Sequence, residues 1–257
     1  MGQHFLKSER ALLSIIEAGS VSKDDTILEI GPGTGSLTER LLEAGAKVLA
    51  VEKDDELFES LKLKFEKEIK IGKLELIHGD ILEFDLTKLE AKSYKLVANI
   101  PYNITGAILK KFLGTTSQPE RIILLVQKEV AERIIARDKK ESILSISVKT
   151  YGEPKYIETV KAGSFAPMPS VDSAIIAIEN ISKNFFQKFS EEKFFQLLHA
   201  GFQSKRKKLS SNISVIFEKN AVLETFKNLN LDENLRAEDV DIETWKKIAS
   251  ELTTPGV

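Results

Sequence analysis

The stretch from Thr26 to Asp54 constrains the fold of this chain more than any other. It reads TILEIGPGTGSLTERLLEAGAKVLAVEKD, in which a short, mainly apolar run leads into three closely spaced glycines. Leucines at helical spacing follow, a further glycine ends that segment, and a second apolar run stops at Glu52. This order predicts a strand, a tight turn, a helix and a second, parallel strand.

The spacing of the glycines separates two classes of ligand. Gly31, Gly33 and Gly35 allow the backbone to reverse direction and a ligand to approach it closely. A dinucleotide fingerprint would have its third glycine at position 36, which is Ser36 here. Glu52, at the tip of the second strand, could accept hydrogen bonds from both hydroxyls of a ribose. The pattern therefore favours an adenosine-containing ligand without a pyrophosphate and disfavours a nicotinamide dehydrogenase.

Apolar runs and helical segments alternate as far as about residue 181. Strands are predicted over residues 26–30, 47–51, 74–78, 94–98, 121–126, 145–151 and 173–180. This alternation predicts an α/β fold with a doubly wound, mostly parallel seven-stranded sheet, whose last two strands form an edge hairpin. Beyond it only helical patterns occur, over residues 191–209, 210–217, 221–229 and 242–252. We therefore expect two domains, residues 1–181 and a small all-α domain of residues 182–257.

Composition sets limits on the class of protein. The chain has 257 residues, 42% of them hydrophobic, which is enough for two cores. It has no cysteine, no apolar run of membrane-spanning length and no signal-peptide pattern, so a cytoplasmic protein without a thiolate metal site is expected. The net charge of −2 is spread evenly, so any site for a polyanion must be a local patch.

Asp80 is a second acid at the end of a predicted strand. It follows the run LELIH and Gly79, at the edge of the sheet where open α/β sheets bind ligands. Its carboxylate could accept a hydrogen bond from the exocyclic amine of an adenine. Alternatively, it caps the turn that follows.

The tetrapeptide Asn99-Ile100-Pro101-Tyr102 ends the strand predicted over residues 94–98. Pro101 terminates the strand and keeps Ile100 extended, which leaves the Ile100 carbonyl free to point out of the sheet. Asn99 adds a side-chain acceptor and Tyr102 adds a flat ring. Two acceptors and a stacking surface suit a planar amine.

The segment SFAPMPSVD contains Phe165 at the head of a proline-stiffened loop. Such a loop would present the phenylalanine rather than bury it, although a core-facing ring is an equal alternative from the sequence.

The C-terminal part contains four successive cations, which are predicted to continue a helix: Lys205, Arg206, Lys207 and Lys208. At 3.6 residues per turn, they cover about 300° of the circumference of the helix. These cations are either solvated or bind phosphates.

Taken together, these motifs resemble the RsmA/KsgA family of ribosomal RNA adenine dimethyltransferases, which are class I S-adenosyl-L-methionine-dependent enzymes. The resemblance covers nearly the whole chain. Further matches are the lead-in Gly2-Gln3-His4-Phe5-Leu6, the segment Gln127-Lys128-Glu129-Val130 and the segment Pro169-Ser170-Val171-Asp172-Ser173.

The resemblance implies roles for individual residues. His4 and Leu6 would cover the methionine side of S-adenosyl-L-methionine, and Gly31 and Gly33 belong to the loop against it. Glu52 would hold the ribose hydroxyls, Asp80 the adenine amine of the cofactor, and Asn99 would lie between cofactor and target. Many relatives have asparagine at position 4, where a histidine can still donate or accept a hydrogen bond.

The activity implied is N6,N6-dimethylation of two adjacent adenines in the 3′-terminal hairpin of 16S rRNA, within the immature small ribosomal subunit. Asn99 and the Ile100 carbonyl would hold the target amine, with Pro101 shaping the site, while Tyr102 and Phe165 would stack on the flipped base. Lys205, Arg206, Lys207 and Lys208 would bind RNA. We expect a monomer that needs no metal.

Two alternatives remain from the sequence. An Erm-type methyltransferase, which modifies 23S rRNA, shares the sheet motifs and the basic segment, although the closing segment from Leu235 to Ile248 looks more like the first family. A non-catalytic ribosome assembly factor would bind RNA without methyl transfer, which the intact residues 99–102 and Glu52 argue against.

Overall fold

The computed structural model describes residues 4–89, 93–100 and 104–253. The chain forms two compact units, one of residues Met1–Ala131 with Glu153–Ile181 and one of Glu132–Gly152 with Ser182–Val257. The second unit therefore contains Glu132–Gly152, which the sequence analysis assigns to the first domain, as well as Ser182–Val257. The division of functions between the two domains stays a prediction.

The helices and strands alternate along the first part of the chain, and helices predominate afterwards. In chain order they are β1 (Phe5–Leu6), α1 (Glu9–Gly19), β2 (Thr26–Ile30), α2 (Ser36–Glu43), β3 (Lys47–Glu52), α3 (Asp55–Lys64), α4 (Glu66–Lys70), β4 (Leu74–His78), β5 (Lys95–Asn99), α5 (Thr105–Gly114), β6 (Arg121–Gln127), α6 (Lys128–Ile135), α7 (Ile143–Lys149), β7 (Glu153–Val160), β8 (Phe165–Ala166), β9 (Ser173–Glu179), α8 (Glu191–Gly201), α9 (Leu209–Ile213), α10 (Lys219–Asn228) and α11 (Ile242–Thr253).

The main sheet of the first unit has seven strands among the described residues, in the order β4-β3-β2-β5-β6-β9-β7. The first five strands in this order, β4, β3, β2, β5 and β6, are parallel to one another. Strand β9 pairs antiparallel with both β6 and β7. This confirms the predicted doubly wound, mostly parallel sheet. The chain winds from β2 through β3 to β4 on one side and through β5 to β6 on the other. The winding therefore reverses between β2 and β5, which is where open α/β sheets bind their ligands.

The central strands are apolar because helices cover both faces of a parallel sheet. Every side chain from Ile122 to Val126 in β6 is fully buried. Ser8 caps the N-terminus of helix α1, because its hydroxyl accepts a hydrogen bond from the Ala11 amide. The helix buries Leu12 and Ile15. The buried strands and the helix packed on them position the residues at the ends of the strands.

Residues 145–151 do not form the predicted strand, because Ile143–Lys149 is helix α7. A capping box starts this helix: Ser142 Oγ accepts from the Ser145 amide at 3.1 Å, and Ser145 Oγ accepts from the Ser142 amide at 2.7 Å. The polar and apolar residues alternate as in a strand, but the reciprocal caps stabilise a helix start. The outer strand of the edge hairpin is β7 instead.

The second unit has its own hydrophobic core. Trp245 is fully buried at its centre, together with Ile146 of α7 and side chains from each of the four later helices, among them Phe194, Leu198, Ile213, Val222 and Ile248. Trp245 and the ring of Phe202 stack with centroids 5.9 Å apart. Helices α8 to α11, which contribute most of this core, confirm that the C-terminal part is helical.

Within the described residues, no helix combines the length and hydropathy needed to span a bilayer. The same part of the chain contains no cluster of three or more metal-ligating side chains.

Candidate active site

Four neighbouring strands bring the predicted site residues to one edge of the sheet. Gly31 follows β2, Glu52 ends β3, Asp80 follows β4 and Asn99 ends β5. Two main-chain hydrogen bonds join these ends, from Gly31 N to the Val51 carbonyl at 3.0 Å and from Gly79 N to the Glu52 carbonyl at 2.9 Å. Residues far apart in sequence therefore lie at one edge of the sheet, where open α/β sheets have their ligand-binding crevice.

The glycine turn beside this crevice has left-handed backbone at Gly31, Gly33 and Gly35, with φ angles of 63°, 59° and 79°. A Cβ at Gly35 would lie 2.5 Å from the Phe65 ring, so a larger residue would clash. A Cβ at Gly31 would meet no heavy atom within 4 Å. The turn is thus packed against the protein at Gly35 and open at Gly31, which leaves room for a ligand there.

Glu52 ties the glycine turn to the end of β3. The residue is 4% exposed, and its Oε2 accepts a hydrogen bond from Gly33 N at 3.0 Å. Its Oε1 accepts from the amides of Lys53 and Asp54, both at 2.9 Å. A carboxylate has about four acceptor positions, so this arrangement leaves about one for a ligand hydroxyl. Binding both ribose hydroxyls would require one main-chain contact to be released or shared.

Asp80 is held on both of its oxygens. Oδ1 accepts from the Leu82 amide at 2.8 Å, and Oδ2 accepts from Lys53 Nζ at 2.8 Å. The Lys53 ammonium is the main reason that the pKa of this carboxyl lies below its usual value. Asp80 therefore caps the turn that follows β4, which was one of the two alternatives. Its recognition of the adenine amine stays a prediction, for which the ionised carboxylate is a suitable acceptor.

Asn99 lies at the carboxyl end of β5, next to β2. Its Nδ2 donates a hydrogen bond to the main-chain carbonyl of His4 at 3.3 Å. Its Oδ1 has no hydrogen-bond donor among the described residues. The Ile100 side chain is 2% exposed. Pro101 and Tyr102 lie outside the described residues, so their predicted roles stay predictions.

Phe165 is not presented at the surface as the loop sequence predicts. It is 5% exposed and belongs to the hydrophobic core of the first unit. The reason is the small antiparallel sheet of β1 and β8, in which Leu6 pairs with Phe165 and Phe5 pairs with Ala166. Pairing with a strand far away in sequence directs the ring inward. Stacking of Phe165 on a target base stays a prediction, and it would require the ring to become more exposed.

His4 and Leu6 belong to the lead-in that precedes α1. Leu6 is 4% exposed and lies in the same core as Phe165. The His4 ring bonds through Nδ1 to the Pro167 carbonyl at 2.8 Å, which makes Nδ1 the protonated donor. A Cβ at Gly33 would lie 3.0 Å from the Phe5 ring. The lead-in thus contacts the glycine turn, although its predicted contact with the cofactor stays a prediction.

Glu29 begins the pattern E-x-G-x-G-x-G that contains the glycine turn, but the sequence did not assign it a role. It is 1% exposed, and neither carboxyl oxygen makes a hydrogen bond of good geometry among the described residues. The hydroxyl and amide of Thr38 lie near enough to oppose the rise of its pKa in part. Burial, with a smaller effect of the Glu52 charge, raises its pKa to about 8. An acid inside an otherwise buried apolar strand, TILEI, is the signal that could have revealed it. It is therefore mainly protonated at neutral pH, in the strand that leads into the glycine turn.

The four cations of the second unit do not lie on a continuous helix. Helix α8 ends at Gly201, and residues 203–208 form a turn before α9 begins at Leu209. Asn212, 3% exposed, donates from Nδ2 to the carbonyls of Gly201 and Ser204 at 2.6 and 3.0 Å. The turn exposes the four cations, none of which has a carboxylate partner among the described residues: Lys205, Arg206, Lys207 and Lys208.

Comparison with known proteins identifies the family to which this arrangement belongs. The family described as "Ribosomal RNA adenine dimethylase" matches residues 1–254. The chain belongs to this family. It is therefore an rRNA adenine methyltransferase that depends on S-adenosyl-L-methionine.

Similar proteins support the assignment to the dimethylase family. A "Ribosomal RNA small subunit methyltransferase A" from Dehalococcoides mccartyi (strain CBDB1) is 39% identical over 255 residues, 98% of this chain and 87% of that protein. A protein of the same name from Nostoc sp. (strain PCC 7120 / SAG 25.82 / UTEX 2576) is 40% identical over 97% of this chain and 96% of its own length.

Two solved structures resemble this dimethylase. A dimethyladenosine transferase from Plasmodium falciparum has a TM-score of 0.81 and 27% identity, covering 95% of this chain and 96% of that one. The 23S rRNA methyltransferase ErmE has a TM-score of 0.78 and covers 96% of this chain and 99% of its own. Its identity is 22%, so this likeness concerns the fold alone.

The crevice of this dimethylase fits S-adenosyl-L-methionine in two respects. The open side of Gly31 gives access to the glycine turn, and the carboxylates of Glu52 and Asp80 offer acceptors at adjacent strand ends. The hydroxyls and the adenine amine of the cofactor are hydrogen-bond donors, which match these acceptors. When bound, the cofactor supplies an electrophilic methyl group on a sulfonium.

Proposed function

We propose that this enzyme methylates N6 of two adjacent adenines in the 3′-terminal hairpin of 16S rRNA, giving N6,N6-dimethyladenine at both. Its substrate is the immature small ribosomal subunit, on which it acts as a monomer in the cytoplasm. The observation that supports this most is the position of Asn99: β5 pairs with β2 through Ala98 and Ile30, so Asn99 follows β5 beside the open glycine turn, in a chain that belongs to the adenine dimethylase family. Among the described residues, no donor occupies its Oδ1. The names of similar proteins favour the small subunit.

The chemistry of an adenine amine explains why an acceptor is needed there. The N6 lone pair is delocalised into the ring, so the nitrogen is a poor nucleophile. Hydrogen bonds from its N–H groups to Asn99 Oδ1 and the Ile100 carbonyl favour a pyramidal nitrogen with a directed lone pair. Such positioning lowers the barrier without a strong base. In each transfer the amine gains a methyl group and loses a proton to water, and S-adenosylhomocysteine is the coproduct.

The cationic turn of residues 205–208 supports an RNA substrate. Its exposed lysine and arginine side chains, which no carboxylate of the described residues neutralises, can bind phosphates and release the counterions that surround them. We assign the turn to binding the RNA backbone, which positions the RNA without reading its sequence. The target base is extruded for methylation and held by stacking, for which Tyr102 and Phe165 are our candidates.

The test is methylation of immature small subunits by purified protein with isotope-labelled S-adenosyl-L-methionine. We expect N6,N6-dimethyladenine at two neighbouring positions near the 3′ end, mapped by mass spectrometry of rRNA fragments. Large subunits serve as the comparison. Modification of 23S rRNA instead would identify an Erm-type activity, and tight binding of small subunits without methylation would identify an assembly factor. Either result would reject the proposal.

A further inference from the structure

The lead-in segment from His4 to Leu6 connects three parts of the candidate site. Its strand β1 pairs with β8, and Lys7 N donates to the Ser164 carbonyl at 2.8 Å. The His4 ring donates to the Pro167 carbonyl, and the Phe5 ring packs against Gly33. The buried side chain of Leu6 anchors the segment in the core. The main chain at His4 is therefore held in place by several contacts.

This fixed main chain contacts the carboxamide of Asn99. A carboxamide has nearly the same shape after a 180° rotation, so its hydrogen-bond partners decide which end faces which way. The His4 carbonyl can only accept a hydrogen bond, and it lies 3.3 Å from Nδ2. The opposite orientation would bring Oδ1 against another oxygen, with no proton between them. The carbonyl thus selects the orientation in which Oδ1 remains for another donor.

We propose that the His4 carbonyl orients Asn99 for methyl transfer, which makes the lead-in segment a positioning element for the target amine. This inference rests on the proposed function, because it assumes that Asn99 Oδ1 accepts from the N6 amine of adenine. This role differs from the one that the family resemblance implies for His4 and Leu6, which is to cover the methionine side of the cofactor. With the carboxamide reversed, the two N–H groups of Nδ2 would face the N–H groups of the amine, and no hydrogen bond could form.

The first test is Asn99→Asp, measured as the single-turnover rate of methyl transfer with saturating cofactor. An ionised carboxylate has two acceptor oxygens, one of which would have to face the His4 carbonyl. We expect the rate to fall by about 100-fold at pH 8, from a lost hydrogen bond and the repulsion that replaces it. A protonated carboxyl can donate to the His4 carbonyl and still accept from the amine.

The rate of the Asn99→Asp variant relative to the unchanged protein should therefore rise as the pH falls. While the new carboxyl is mostly ionised, its protonated fraction increases about tenfold for each pH unit, and the relative rate should follow it. Asn99→Ala provides the comparison, with a loss that does not depend on pH. An Asn99→Asp variant that is as active as the unchanged protein, or whose loss is equal at pH 6 and pH 8, would overturn the inference.

The second test alters the attachment of the lead-in through the His4 ring. His4→Phe removes the donor to the Pro167 carbonyl, whereas His4→Asn can retain a donor. We expect His4→Phe to lower the single-turnover rate by about tenfold, with the Kd for S-adenosylhomocysteine within about twofold of the unchanged value. His4→Asn should restore most of the rate. His199→Phe, at an exposed position of α8, controls for the substitution itself.

The outcomes distinguish this inference from the proposed function. If Asn99→Ala leaves methylation intact, the role of Asn99 in the proposed function is wrong. If Asn99→Ala is inactive but His4→Phe is fully active, only the positioning role is wrong. If His4→Phe weakens S-adenosylhomocysteine binding as much as it lowers the rate, His4 acts on the cofactor and the inference also fails. Thermal melting of each variant verifies that it is folded.

Discussion

The main-chain amide of Gly33 donates a hydrogen bond of 3.0 Å to the carboxylate of Glu52. This bond joins the glycine turn after β2 to the end of β3, across 19 positions of sequence. Both residues are predicted from the sequence to contact the cofactor, but their contact with each other is a property of the fold. It means that Glu52 has a structural role in addition to its proposed role in binding.

Replacing Glu52 by glutamine should weaken both the turn and the binding of S-adenosylhomocysteine. All three groups that contact the carboxylate are N–H donors, so the NH₂ of a glutamine would face at least one donor. We expect a loss of stability of about 1–3 kcal/mol and at least about tenfold weaker binding. Thermal unfolding and isothermal titration calorimetry measure the two effects. Glu59→Gln, at an exposed position of α3, is the control, and equal effects of both substitutions would contradict the prediction.

Glu29 should make the stability of the protein depend on pH. Its pKa is about 8 in the folded protein and 4.5 for the ordinary group, so the folded state retains a proton that the unfolded state loses. The contribution of this group to stability is therefore greatest below about pH 4.5 and decreases as the pH rises towards 8, by at most about 1.4 kcal/mol per pH unit.

Glu29→Gln removes this titration and should flatten the decrease. Urea unfolding at several pH values between 5 and 8, without cofactor, gives the free energy of unfolding of both proteins. We expect the glutamine variant to gain in stability relative to the unchanged protein as the pH rises. A constant difference across this range would show that Glu29 is ionised in the folded protein. Glu43→Gln, an exposed substitution on α2, should not change the slope.

Asn212 should maintain the shape of the cationic turn. Its buried Nδ2 satisfies the carbonyls of Gly201 and Ser204, which Asn212→Ala would leave without this donor. We expect a destabilisation of about 1–3 kcal/mol and a weaker affinity for small-subunit rRNA. Chemical unfolding and fluorescence anisotropy measure the two quantities. Asn220→Ala, at an exposed position of α10, is the matched control. If Asn212→Ala leaves the RNA affinity unchanged, the shape of the turn does not contribute to RNA binding.

Charge reversal at Lys205 and Arg206 tests the proposed phosphate contacts. We expect the double change to glutamate to weaken rRNA binding and to reduce the slope of log K against log salt by about 2, or about one per lost contact. The control is the double variant Lys219→Glu with Lys227→Glu, at exposed positions of α10. It changes the net charge of the second unit by the same amount. If the two double variants lose affinity to the same extent, the effect is one of net charge and the turn has no specific role.

The features that local patterns specify were predictable from the sequence. The three glycines after β2, the acid that ends β3 and Asn99 at the end of β5 follow from strand and turn signals within a few residues. Parallel winding then requires these strand ends to meet at one edge. The position of the crevice therefore follows from the order and spacing of these residues.

The errors occurred where neighbours in space override local periodicity. Residues 145–151 alternate like a strand, but the capping box of Ser142 and Ser145 starts helix α7 there. Ile146 of this helix is then buried in the core of the second unit. Helix α8 was predicted to continue through the cations, but it ends at Gly201, where an added Cβ would lie 2.5 Å from the Trp245 ring and where Asn212 binds the carbonyl. Neither contact is visible as a local pattern.

The amino-acid sequence was sufficient for most of the strands and helices, the glycine turn and the family, because these depend on residue types at fixed spacings. Three features of the site emerge only when the chain is folded: Phe165 points into the core, Glu29 is buried without a hydrogen bond of good geometry among the described residues, and the His4 carbonyl meets Asn99. Each of these depends on which distant segment packs alongside. Such pairing is set by the free energy of the whole fold, so no short stretch of sequence encodes it.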